Sequence, residues 1–165
     1  MTMAFSIVIT GSVRSEDGRT MVSTLFTLGN NVETCNLPLG YWSITDYLRQ
    51  WETALLRVVH HHSKAALITS VDDVRYAVNC VAWVIYPIDD CNAAIQQHLL
   101  LDRRLIVDRL NIDYDSIPDR EVISDTGERI SEWEVTLVDL QAEANKLHSF
   151  IDALDLSSDP RPGQQ

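Results

Sequence analysis

The eleven residues YWSITDYLRQW at 41–51 constrain this chain more than any other stretch. Ser43 is a good helix N-cap, and Asp46 three positions on forms a capping box with Asp in place of the usual Glu. Trp42 just before the cap and Tyr47 at the fourth helical position are spaced as a hydrophobic staple. Ile44, Leu48, Trp51, Leu55 and Val58 or Val59 then recur at helical spacing and make one apolar stripe. A helix over about 44–61 follows, lying on a core by that stripe. Much of the aromatic density here is absorbed by a core helix and is not left over as a binding platform.

The remaining pattern is mostly strand. Residues 5–13 alternate, SEDGR at 15–19 supplies a turn, and 21–28 return as the hairpin mate. GNN at 29–31 makes a second turn, and a short stretch through Pro38 and Gly40 leads into the helix. Beyond the helix, 65–71, 76–86 and 93–101 read as an antiparallel meander, turning at Asp72–Asp73 and at IDD, 88–90. Pro87 ends the middle run, which is apolar enough to be the central strand. Residues 103–110 fit a short helix or a strand, and 111–119 read as a loop. REVIS and ERISEW flank DTG at 125–127, a hairpin signal. Thr136 and Asp139 repeat the cap arrangement for a helix over about 137–154. Its Leu137, Leu140, Ala144, Leu147, Ile151 and Leu154 keep a three-and-four spacing. The expectation is one α+β domain over 1–156, an antiparallel sheet packed against two main helices, with a polar tail at 157–165.

Charge narrows the partners. The chain carries a net charge of −11, and residues 89–143 hold 14 acids against 5 bases. That excess weighs against direct binding to nucleic acid, where neutralising phosphate dominates affinity. It suits a solvated face, or a surface that steers and docks a basic partner. No apolar run approaches the about 18 residues of a membrane helix, so no membrane partner is expected. The strand-like N-terminus lacks a basic leader region, so no secretory signal is expected either. Cys35, Cys80 and Cys91 form an odd set without paired spacing, which fits reduced thiols in a cytoplasm.

Candidate chemistry is sparse. His60, His61 and His62 are consecutive, so on a helix they point about 100° apart and cannot share one ion as an i, i+4 pair could. They suit the negative end of a helix, and no metal site is expected. His98 with a nearby carboxylate would serve a small hydrolase, yet no Ser or Cys stands in a nucleophile setting. No phosphate loop, dinucleotide fingerprint or zinc spacing is present, so no cofactor is expected.

Tyr41, Trp42, Ser43, Asp46, Tyr47, Gln50 and Trp51 together resemble the helix signature of the bacterial immunity proteins of contact-dependent growth inhibition. ALITS at 66–70, IQQH at 95–98 and GERISEW at 127–133 are similar pieces in the expected order. The resemblance spans roughly 40–140, while 99–118 depart from the family pattern. It implies a non-enzymatic cytoplasmic protein that binds and neutralises a cognate toxin domain, a nuclease, in a one-to-one complex. An acidic inhibitor would match the basic cleft that a nuclease needs. Asp89, Asp90, Asp113, Asp115 and Asp119, at turns and loops, are the candidate toxin contacts, with Tyr114 as an aromatic anchor. Trp51 and Trp133 are expected in the core. The alternatives are the His98 hydrolase and an acidic adaptor domain.

Overall fold

The computed structural model describes residues 4–16, 18–71, 80–101, 105–108 and 110–158. Strands β1 (Phe5–Glu16), β2 (Arg19–Leu28) and β3 (Asn31–Leu39) form one antiparallel sheet in that order. Helix α1 (Ile44–His61) leads to β4 (Ala65–Ser70), β5 (Cys80–Pro87) and β6 (Asn92–Leu100), an antiparallel meander with β5 between its neighbours. A small ribbon follows, β7 (Ile106–Asp108) on β8 (Asn111–Ile112), and then a 3-10 turn at Tyr114–Ser116. Strand β9 (Trp133–Thr136) returns to pair with β6, and α2 (Leu137–Ser158) closes the fold. The class is α+β, with both helices where the periodicity puts them.

Apart from the β7–β8 ribbon the strands divide into two sheets, and β3 is an addition to the sequence pattern. Pro38 argues against a strand, but its carbonyl faces out of the ladder, accepting from the Tyr47 hydroxyl at 2.9 Å. The missing N–H on that side therefore has no ladder partner to lose. The turn at DTG forms, with Gly127 at φ 81°, a conformation glycine adopts without strain. The ladder behind it is a single bridge, Ile123 to Arg129, because Trp133 leaves to pair with Ile95 of β6. The 103–110 stretch resolves as strand at Ile106–Asp108. Residues 76–79, the Asp72–Asp73 turn and the tail from 159 lie outside the described residues.

Helix α1 is built as its sequence dictates. The Ser43 hydroxyl accepts from the Asp46 N–H at 3.2 Å, and the Asp46 carboxylate accepts from the Ser43 N–H at 2.9 Å. Trp42 and Tyr47 meet edge to face with centroids 5.1 Å apart. At the other end His62 takes the left-handed conformation usual for glycine and returns its N–H to the Val58 carbonyl at 3.1 Å. Replacing Ser43 with alanine removes one half of the box and should destabilise the fold by about 1 kcal/mol. A thermal melt should show this as a fall of about 2–4 °C, and an unchanged melt would deny the cap that role.

The buried face of α1 closes a sheet edge. Gln50 accepts from the Ile68 N–H at 3.0 Å and donates to the Ala66 carbonyl at 2.7 Å, as a neighbouring strand would. Trp51 adds its indole N–H to the Ile68 carbonyl at 2.8 Å. The open side of β4 is thereby satisfied by side chains, not by another strand. Helix α2 treats β1 the same way: Glu143 accepts from the Ile7 N–H and Lys146 donates to the Ile7 carbonyl, each at 2.9 Å. Phe26 of β2 touches Trp51 and Trp83 at 5.4 and 6.1 Å between centroids, and so joins both sheets to α1 in one core.

Candidate functional site

Acids from two segments, the β5–β6 turn and the 113–119 loop, lie around the C-terminal end of α1. Asp89, in the β5–β6 turn, accepts from the N–H groups of Cys91 and Asn92 at 2.8 Å each. Those hydrogen bonds hold its carboxyl below the usual range, and the charge of nearby His62 adds to the effect. Asp90 beside it is exposed. Asp113 caps the 3-10 turn by accepting from the Asp115 N–H at 3.2 Å. Asp115 reaches Arg57 of α1 at 3.4 Å, and Asp119 reaches Lys64 at 2.8 Å. In both pairs the carboxylate stands in solvent while the cation is mostly covered. Such solvent-screened pairs add little to stability, and the outer faces of both carboxylates stay open to a partner's cations.

Tyr114 sits lower. Its ring lies beneath the Arg57 guanidinium, 5.1 Å from carbon to centroid, and its hydroxyl accepts from Gln50 at 3.1 Å. Burial pushes its phenol upward in pKa. The side chain thus pins the acidic turn onto α1. Sequence periodicity gives no signal for Arg57 and Lys64 as the organising cations, because each lies more than fifty residues from its acid.

His98 offers no nucleophilic site. Gln96 donates through Nε2 to the Glu121 carbonyl and to Glu132, which leaves its Oε1 facing His98 Nε2 at 3.1 Å. The Tyr86 hydroxyl, 3.5 Å from the same nitrogen, gives its proton to the Pro118 carbonyl at 2.9 Å, so both neighbours accept and the proton sits on Nε2. Burial lowers the imidazole's pKa and favours the neutral ring. His98 lines a cavity of about 330 Å³, and Ser116 in the same lining donates its hydroxyl to the Asp113 carbonyl at 2.8 Å. Burial also raises the thiols of Cys35 and Cys80, the latter to about 12, so both stay protonated at neutral pH. Among the described residues no His, Cys, Asp and Glu group could hold a metal ion, and no helix is long and apolar enough to cross a membrane.

A model of the CdiI N-terminal domain matches residues 37–143, well over half of the chain. The chain belongs to the CdiI immunity-protein family. It is also similar to a chain of the CdiA-CT/CdiI toxin and immunity complex from Enterobacter cloacae, at 25% identity and a TM-score of 0.78. The match covers 88% of this chain and 99% of that one. No curated protein matches. CdiI proteins are inhibitors, not enzymes, which removes the hydrolase reading of His98.

In this CdiI-family chain the four shared motifs all hold the fold together. The Tyr41–Trp51 signature caps α1 and closes the edge of β4, which is the strand ALITS supplies. The Gln96 of IQQH and the Glu132 of GERISEW meet at 2.9 Å, and Arg120 grips the same carboxylate at 3.0 and 2.6 Å. Trp133 stacks edge to face on Trp83, with centroids 5.6 Å apart. The Gln96–Glu132–Arg120 clasp is what sequence reading missed: the motif pieces were visible, but not their mutual contact.

Proposed function

We propose that the chain binds and neutralises a cognate toxin domain, a nuclease, in a one-to-one complex that covers the toxin's active or substrate-binding surface. The observation that carries this is the convergence of acids from separate segments on one end of α1, in a chain of an immunity family. The solved relative comes from a toxin and immunity complex. A nuclease must present cations to phosphate, and Asp89, Asp90, Asp113, Asp115 and Asp119 offer those cations carboxylates, with Tyr114 fixing the turn beneath. The protein acts in the cytoplasm, without cofactor, membrane or nucleic acid as a direct partner.

Co-expression tests the reading. Cells producing the toxin domain encoded beside this chain should stop growing and lose intact RNA or DNA. Cells that also make this protein should grow with nucleic acid preserved. Killing that persists despite soluble protein would overturn neutralisation, and rescue of a toxin that leaves nucleic acid untouched would overturn the nuclease assignment.

A further inference from the structure

The hairpin closed by the Arg120–Glu132 clasp sets two adjacent aliphatic side chains among its acids, where the acidic end of α1 has the single Ile88, 42% exposed, beside Asp89 and Asp90. Val122 and Ile123 are 37% and 54% exposed, two large aliphatic side chains standing in solvent on a turn. Around them Glu121, Asp125 and Glu128 are all exposed, and none makes an ion pair among the described residues. Residues 119–134 hold six acids against two arginines. Arg129, exposed opposite Ile123, is the one cation within the hairpin, so the surround stays net acidic and the two aliphatic side chains, only partly covered, gain little from folding. Both properties suit a desolvated centre with a charged rim.

The backbone here is also set in advance. The Ser124 N–H donates to the Glu128 carbonyl and the Gly127 N–H to the Ser124 carbonyl, each at 2.8 Å. The Ile130 N–H donates to the Val122 carbonyl at 2.9 Å, and Gln96 fixes the Glu121 carbonyl at 2.8 Å. A turn ordered before binding loses little conformational freedom when it docks. The larger groove between β1 and the two helices is lined by Ile9, Tyr41 and Phe150 and holds no such charge pattern.

We infer that the 121–130 hairpin is a docking surface for a cationic protein face, with Val122 and Ile123 entering an apolar depression between that face's basic side chains. This rests on the immunity reading, and the face is the toxin domain's. Charge complementarity selects this occupant: a second copy of the chain would bring another ring of acids against the first.

Titration calorimetry and stopped-flow binding with the purified toxin domain decide it. The pair Val122→Ser with Ile123→Ser should weaken binding at least about tenfold, mostly through faster dissociation. The triple Glu121→Gln, Asp125→Asn and Glu128→Gln should slow association and flatten its salt dependence. All five positions are exposed, so melting temperatures should stay within about 2 °C of the parent. If the parent binds and both variants match it within twofold, the hairpin is not the docking surface, while the immunity reading stands. A parent that does not bind at all removes both. If the parent dimerises and the serine pair dissolves the dimer, the patch serves a second copy and the toxin assignment is overturned.

Discussion

Trp51→Ala should lower stability by about 3–5 kcal/mol, a large share of the roughly 5–15 kcal/mol that holds a protein folded. The indole is 0% exposed and lies among Phe26 and Tyr47, with centroids 5.4 and 6.0 Å away. Truncation leaves a cavity at the point where α1 meets both sheets. It also strips the Ile68 carbonyl of its donor at the edge of β4. Trp51→Phe is the milder change. It keeps an aromatic ring in the core but loses the N–H and part of the indole, so it should cost about 1–3 kcal/mol for the unpaired carbonyl plus a small cavity, less than alanine. Urea unfolding followed by circular dichroism reads both. If the alanine variant unfolds within about 0.5 kcal/mol of the parent, the signature tryptophan does not hold the helix to the sheet. A marked loss of toxin binding in a Trp51→Phe protein that stays folded would place the residue in the interface instead.

What the sequence shows of this fold follows the range of the forces involved. The Ser43–Asp46 box and the Trp42–Tyr47 staple act within five residues, so α1 is legible from end to end. The β5–β6 turn and its flanking strands are equally local. Strand β3 is obscured by Pro38, whose exclusion from strands fails where the backbone faces away from the ladder. The division into two sheets depends on side chains of α1 and α2 closing edges, a contact no periodicity announces. The acids at turns are visible one by one. Their gathering is not, because Arg57 and Lys64 become their partners only when the chain after β8 crosses back to α1. The exposed Val122 and Ile123 look in sequence like the alternating flank of a hairpin, and only the shortness of the ladder leaves them in solvent.

Glu132→Ala should be the other large loss, about 2–4 kcal/mol at neutral pH, and it should depend on acidity. The carboxylate holds the Arg120 guanidinium through two hydrogen bonds and takes a third from the fully buried Gln96. Removing it leaves a half-covered cation and a buried amide donor with less to bind. The Arg120 hydrogen bond, with help from Gln96, holds the Glu132 carboxyl below its ordinary value of 4.5. A depressed folded pKa contributes stability that is complete above the unfolded value and fades as pH drops through the folded one. The parent should therefore lose this contribution below about pH 4.5, while Glu132→Ala has none to lose. Melts at pH 7, 5, 4 and 3 should show the gap between the two narrowing towards acid. Glu132→Gln keeps an acceptor but no charge, so it should fall between them with a flatter profile. A gap that stays constant down to pH 3 would mean the residue matters for shape and not for charge. Because Arg120 and Glu132 close the base of the 121–130 hairpin, the loss should extend beyond stability. A Glu132→Ala protein that is still folded at neutral pH should bind the toxin domain more slowly, since a frayed hairpin must be ordered again before Val122 and Ile123 can dock.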